Sequence, residues 1–283
     1  MSAQLEMPGM PRRLFSATPS KLATFADCPR RYRFAYLQRP APPKGPPWAH
    51  NTVGAAVHAA LRSWWELTLH KRTPAAACQL LYGVWSRTGF RDEEQADRWR
   101  ARAAGWLTDY VTGLDPADEP VGTERTVGAT TERLALSGRI DRIDSRGDEL
   151  VVVDYKTGRL PSTEDEARGS PALAIYVLGV RRTLRRPCSR VELHHLPSGT
   201  VAAFEHTEKS LANHVRRAED IATDIETATE AVAAGQEVDT AFPPVPGQQC
   251  SWCDFRPSCP VGQAAAPARE TWSFLAEETT PAG

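Results

Sequence analysis

Three features of the sequence predict an α/β protein. Apolar residues recur at helical spacing up to about position 120. Two strand–turn–strand signals follow, with a helical stretch between them. Three cysteines then crowd into residues 250–259. The chain has 283 residues, 41% hydrophobic and 24% charged, which suits a globular protein with a real core. No apolar run reaches the roughly 20 residues that span a bilayer. The start, MSAQLEMPGMPRRLF, lacks the apolar stretch of a signal peptide, so a cytoplasmic location and no membrane partner are expected. A net charge of −1 leaves any nucleic-acid contact to local patches.

Taken in order, residues 1–15 are short, polar and proline-bracketed, and are expected to be disordered. Residues 16–120 form a helical region. Thr18 and Pro19 supply an N-cap and first helical position ahead of Leu22 and Phe25. Pro29 opens a second helix carrying Tyr32, Phe34 and Leu37, and Pro40 to Pro47 is a loop. Val53, Val57, Leu61 and Trp64 recur at helical spacing, and Trp85–Tyr110 reads as further helix. A core is expected over 121–235. There LALSGRIDRID and ELVVVDYKTG flank a turn at Arg146–Asp148, Pro171–Arg181 is a helix, and RVELHHL and TVAAFEH form a second hairpin through Pro-Ser-Gly. Leu211, Val215, Ala218, Ile221, Ile225 and Ala228 mark an amphipathic helix. A cysteine segment at 236–262 and a flexible tail at 263–283 complete the division.

The first hairpin carries the most chemistry. With its turn near Gly147, Asp141 faces Asp154, and Lys156 projects to the same side. Facing carboxylates repel, and a divalent cation with a taste for hard oxygen ligands, magnesium or manganese, would relieve that conflict. The plainer alternative is two acids at a solvent rim with an ordinary lysine partner. His58, in GAAVHAAL, is either a half-buried helix residue or a ligand, and Gly54 one turn earlier would let another element approach closely.

Cys250, Cys253 and Cys259 have the form C-x-x-C-x-x-x-x-x-C, and three thiolates in so short a stretch can converge. Cys28, in ADCPRRYRF, is the best fourth ligand, also followed by proline and beside basic residues. Four thiolates suit structural zinc or an iron–sulfur cluster, and spacing does not separate the two. Cys78 and Cys188 are isolated and read as plain buried thiols.

In order along the chain, SATPSKLATFADCPRRYRFAYL, GAAVH, GRIDRID, VVDYKTG, the ALAIY helix and CSWCDFRPSCP resemble the RecB-like, iron–sulfur branch of the PD-(D/E)xK nuclease superfamily. That branch includes the nuclease domain of AddB and the CRISPR-associated iron–sulfur exonucleases. The resemblance implies a restriction-endonuclease-like mixed β-sheet core flanked by helices. It implies that His58, Asp141, Asp154 and the main-chain carbonyl of Tyr155 bind Mg2+ or Mn2+. Lys156 would be the catalytic lysine, Tyr176 the tyrosine of a Q-x-x-x-Y helix, and Cys28, Cys250, Cys253 and Cys259 the ligands of a [4Fe-4S] cluster. Ala172 stands where that motif has glutamine.

The function that follows is metal-dependent hydrolysis of DNA, as an exonuclease in repair or recombination. DNA with free or single-stranded ends is the expected partner, contacted by Arg30, Arg31 and Arg33 with Tyr32 for stacking, and by RRTLRR at 181–186. Those arginines read equally as a solvated helix face. With no G-x-x-x-x-G-K-[ST] sequence there is no motor of the Walker type, so the chain acts alone or beside a separate helicase. The rival functions are a non-catalytic DNA-binding or scaffold subunit of a helicase–nuclease complex and a CRISPR adaptation nuclease.

Overall fold

The computed structural model describes residues 14–275. Strand β1 (Phe15–Ala17) leads into α1 (Pro19–Asp27), where the Thr18 side chain accepts a hydrogen bond from Lys21 N and Pro19 opens the helix as expected. Cys28 is the extended residue that ends α1 and begins α2 (Pro29–Tyr32), which runs on as a π-helical turn over Arg33–Leu37. Helices α3 (Ala49–Trp65), α4 (Pro74–Val84) and α5 (Glu93–Thr112) follow. The expected Trp85–Tyr110 helix thus begins later: Asp92, whose carboxylate accepts from Gln95 N, is the N-cap, and Trp85 ends α4.

The core then runs β2 (Gly122–Thr130), β3 (Leu134–Arg146), β4 (Glu149–Lys156), α6 (Glu164–Gly169), α7 (Pro171–Leu184), β5 (Cys188–His195), β6 (Thr200–Glu205) and α8 (Glu208–Ala233). The two expected hairpins are both present. Arg146 pairs with Glu149 around Gly147, whose φ of +61° suits glycine. His195 pairs with Thr200 around the second turn. Short α9 (Val238–Ala241) and α10 (Pro260–Ala265) bracket the cysteine segment.

All six strands form one mixed sheet, with β1 parallel to β3, β4 parallel to β5, and the other pairs antiparallel. Strand β3 organises it. Both β1 and β2 pair with its residues Ala135 and Leu136, so they occupy opposite edges. Both β2 and β4 pair with Arg142 and Ile143, so these too are on opposite edges. It follows that β1 and β4 share one edge of β3, at its two ends, with a gap between Leu136 and Arg142.

Along β4, side chains alternate as a strand must. Val151, Val153 and Tyr155 enter the apolar cluster with α3, α4 and α5. Leu150 and Val152 enter the cluster with α7, beside Leu173, Val177 and Val180. Both faces are therefore covered, which explains the uninterrupted apolar run ahead of Asp154.

Two boundaries differ from expectation. Phe15, placed in a disordered start, forms the first residue of β1, and residues 1–13 lie outside the described chain. The tail was expected to be flexible, yet its stretch at Trp272–Leu275 packs on the helices. Leu275 is buried, Trp272 packs on the α3–α5 cluster, and Trp99 Nε1 donates to Leu275 O at 3.2 Å. Residues 276–283 lie outside the description.

Candidate metal centre and nucleic-acid groove

The gap on the edge of β3 becomes a site because the hairpin frays there. The ladder between β3 and β4 ends at Arg142 and Val153, one step short of Asp141 and Asp154. Beyond it the side chain of Asp141 replaces the missing strand contact, with Oδ2 accepting from Tyr155 N at 2.8 Å. Regular alternation also fails across Asp141. Ile140 and Ile143 both pack with α7, whereas Arg142 lies over Trp65 and Tyr155 on the opposite side. Residues three apart share a face only where a strand twists out of its period of two.

Helix α3 supplies the next group. Val53, Val57, Leu61 and Trp64 bury its core stripe, and His58 sits at the edge of that stripe. Gly54 allows the approach foreseen for it, since a Cβ there would lie 3.3 Å from Thr157 Oγ1 in the loop after β4. So placed, His58 directs Nδ1 to Asp141 Oδ1 at 3.2 Å and Nε2 to the carbonyl of Tyr155 at 3.1 Å. Burial pulls the His58 pKa down, but the Asp141 bond and the charges of Asp141, Asp154 and Glu124 outweigh it and raise the pKa.

Asp154 projects beside this group and meets Lys156 Nζ at 2.5 Å. Burial raises its pKa, Lys156 opposes that rise, and the nearby Asp141 charge adds to it. The Asp154 Oδ2 atom is buried without a partner in hydrogen-bonding geometry; its contact with Lys156 is one of proximity. Tyr176 comes from α7 and packs on Gly138, where any Cβ would overlap its ring. Burial first, then the charges of Asp154 and Asp141, push its hydroxyl up to about 12, so it stays protonated. Ala172 lies one turn earlier on α7, partly buried.

One residue of the centre was missed in the sequence. Glu124 offers a carboxylate oxygen that, with donors from His58 and Asp141, forms a set lying within 4.8 Å of one another. The register of β2 on β3 sets it opposite Asp141, between the pairs Thr123–Arg142 and Arg125–Ile140. Its φ of +46° is left-handed, a conformation costing a non-glycine residue about 1–3 kcal/mol. Its visible partner is Arg139, 71% exposed, at 2.7 Å. The arginine end of that pair lies in solvent, which screens it, although Glu124 itself is only 16% exposed, so the pair alone is a weak account of the backbone strain. The left-handed residue delivering a carboxylate to the centre is the better account.

These donors fit a small divalent cation. Ligands at about 2.1 Å around one such ion stand roughly 3–4.2 Å apart, within the observed spread. A histidine nitrogen with carboxylate oxygens from Asp141 and Glu124, and Asp154 and the Tyr155 carbonyl beside them, suit magnesium or manganese. The groove in front has a volume of about 820 Å³ and is walled by His58, Glu124, Arg139, Asp141, Tyr176 and Arg62, among others.

Behind the centre, a buried polar network fixes β4. Arg142 donates to Tyr110 Oη at 3.1 Å and to Asp144, and Tyr110 Oη lies 2.8 Å from His194 Nδ1. His194 in turn meets Glu192, which Arg146 grips through both guanidinium nitrogens at 2.6 and 2.7 Å. Burial would raise the Glu192 pKa, but His194, Arg146 and Arg190 together hold it far below the usual range. His195 anchors the loop after Lys156 by a 2.7 Å contact from Nε2 to Gly158 O.

The arginines expected to meet DNA are largely used elsewhere. Arg30 and Arg33 both pair with Asp239, at 3.0 and 3.2 Å, tying α2 to α9. Arg31 lies 3.8 Å from Asp27 and is the most open of the three. Tyr32 is no stacking platform, because it is buried against Phe25, Tyr36 and Phe242. In RRTLRR, Arg181 bonds Cys188 O and Glu208, and Arg186 bonds Ser145 and the turn at Gly147.

A separate cavity of about 380 Å³ is lined by Cys28, Cys250, Cys253 and Cys259 together. Cys28 is reached by Val245 N and Cys259 by Gly262 N, at 3.5 and 3.4 Å from their sulfurs. Cys78 and Cys188 are elsewhere, and burial pushes the Cys188 thiol up to about 12.

A mixed sheet flanked by helices and split at a histidine–carboxylate–lysine cluster is a restriction-endonuclease-like fold. The chain belongs to the PD-(D/E)XK nuclease superfamily, whose family model matches residues 16–260. It is accordingly a nuclease-fold protein with a nucleic acid as its substrate class and a divalent metal as cofactor class. No curated protein matches the sequence. Among solved structures it is similar to a crystal structure named "Putative exonuclease" from Eubacterium rectale, at 13% identity over 78% of this chain and 82% of that one, with a TM-score of 0.43. So loose a likeness adds nothing to the family assignment.

Proposed function

We propose that the chain is a Mg2+- or Mn2+-dependent deoxyribonuclease, an exonuclease of the RecB-like iron–sulfur branch that serves DNA repair or recombination. The observation that carries this reading is the convergence of His58, Asp141, Asp154, Lys156 and the Tyr155 carbonyl where β3 and β4 part, with His58 and Asp141 in the wall of the groove and Lys156 lining a neighbouring hollow. A bound divalent ion would polarise the scissile phosphate and lower the pKa of an attacking water.

The chain's own residues do the rest. His58, Asp141, Asp154 and the Tyr155 carbonyl would hold the ion, with Glu124 as a further carboxylate. Lys156 keeps its ammonium beside Asp154, where it can stabilise charge developing on the phosphate. The protonated Tyr176 hydroxyl offers a hydrogen-bond donor from the α7 side. The Glu192–His194–Tyr110–Arg142 network and His195 hold β4 and its loop still, so positioning does not depend on surface loops.

The four cysteines that share one cavity support a [4Fe-4S] cluster. A single zinc ion and a cluster differ in how far apart they hold their thiolates. Thiolates on a single tetrahedral zinc lie about 3.8 Å apart. Thiolates at the corners of a cluster stand wider. Iron, sulfide and zinc analysis after anaerobic purification decides between them.

The test of function is digestion of end-labelled linear DNA, covalently closed DNA and RNA with Mg2+ or Mn2+. Release of label from linear DNA while the closed circle survives is expected. Cleavage of RNA alone, or of the circle first, would overturn the exonuclease reading. Inertness of all three substrates would favour the scaffold subunit, whose support is Ala172 in place of the motif glutamine.

A further inference from the structure

We propose that Arg139 is a substrate-phosphate contact held back by Glu124, and that filling the divalent-metal site releases it to the bound strand. This rests on the nuclease reading above. Arg139 lies in the wall of the groove beside Asp141, exposed to solvent and bonded through Nε to Glu124 at 2.7 Å. Glu124 is also one of the three residues whose donor atoms cluster within 4.8 Å at the metal centre. One carboxylate therefore faces two cations, the guanidinium and the metal.

Charge decides which holds it. A divalent ion draws the carboxylate's charge more strongly than an exposed, hydrated guanidinium, and its own positive charge repels Arg139. The guanidinium then gains most by turning to a phosphate, whose oxygens match its planar fork. The Glu124 carboxylate reaches both partners, lying 2.7 Å from Arg139 Nε and offering an oxygen to the His58–Asp141 donor set. The arrangement couples the steps. Without metal the groove offers one positive contact fewer, so an unproductive complex is weak. With metal, the same carboxylate that completes the centre hands the strand an arginine.

The experiment measures binding. In the Lys156→Ala background, which silences cleavage, the affinity for a fluorescently end-labelled single-stranded oligonucleotide is compared in EDTA and in Mg2+. Mg2+ should tighten binding, and adding Arg139→Gln should remove about tenfold of that gain while changing the EDTA value little. Glu124→Gln should tighten binding already in EDTA, and Arg139→Gln on top should cancel that increase. Calorimetric Mn2+ affinity should rise with Arg139→Gln, because the ion no longer has to displace the guanidinium from Glu124. An equal loss with and without Mg2+, an untouched Mg2+ gain, or an Mn2+ affinity that fails to rise would each overturn the proposal. The nuclease reading is judged by digestion with the wild-type chain, so the two can fail separately.

Discussion

Each carboxylate oxygen of Asp141 has a defined partner, His58 Nδ1 on one side and Tyr155 N on the other, and this sets what its removal should do. Asp141→Ala would unseat both β4 and His58, mixing structural with chemical loss. Lys156 is the cleaner probe because its ammonium is half exposed and contacts Asp154 alone among the proposed groups. Lys156→Ala should lower the cleavage rate by about 100-fold or more while leaving the thermal midpoint nearly unchanged. Single-turnover digestion beside a melting curve measures both, and a wild-type rate would remove lysine from the mechanism. Gly138 tests Tyr176 indirectly. Gly138→Ala should push the Tyr176 ring away at a stability cost of about 1–3 kcal/mol, with slower cleavage. Tyr176→Phe, which keeps the packing, should retain the stability and lose rate only.

At the scale of elements, the start of α8 carries a pH-sensitive joint. His206 lies just before that helix, buried, with Nδ1 near Ser210 Oγ at 3.0 Å and its ring against Phe204 and His214. Burial first, then His214 and Arg181, lower its pKa from 6.5 to about 4. It is therefore neutral in the fold, whereas the unfolded chain takes up a proton near the ordinary value. Its contribution is fully present above about pH 6.5 and is lost as pH falls toward 4. Urea titrations from pH 7 to 4 should show a shallower decline for His206→Asn than for wild type, and identical slopes would contradict the assignment. Helix α7 offers a second probe. Ala172 precedes Tyr176 by one turn, so Ala172→Gln should add a polar contact near the groove and raise the cleavage rate or DNA affinity. An unchanged rate on several substrates would mean the site no longer uses that position.

Across the whole molecule, the two chain ends act as ties. Cys28 joins the α1–α2 junction to the cysteine segment more than 200 residues later, across the cavity they share. If the four thiolates hold a cluster, Cys28→Ala should lose the brown colour and lower the melting midpoint by about 5 °C or more. Cys78→Ala and Cys188→Ala should keep the colour. A colourless wild-type protein with one zinc would retain the tie and change the cofactor. The segment at Trp272–Leu275 is the other tie, packed on α3 and α5. Ending the chain at residue 266 should expose that surface and lower the midpoint, which calorimetry of the shortened chain measures.

The sequence by itself determined the strands, the hairpin turns, the caps and the residues able to do chemistry, because these depend on local spacing and side-chain type. GRIDRID and VVVDYK specify their strands, Gly147 its turn, and His58, Asp154, Lys156 and the cysteines are recognisable as reactive groups in motifs. Only the tertiary structure decided which of them meet. Glu124 was invisible because nothing in TERTV marks it. It matters through its place opposite Asp141 in a strand pair set by long-range contacts, and through a left-handed backbone no local pattern announces. Arg30, Arg33 and Tyr32 show the converse dependence. A basic and aromatic run looks ready for nucleic acid until Asp239 and Phe242, two hundred positions away, fold back to pair and bury it. The packed end at Leu275 follows the same logic, since its partner surface on α3–α5 exists only once the helices have assembled. Local chemistry can be read from local sequence, but charge pairing and burial are properties of distance in space.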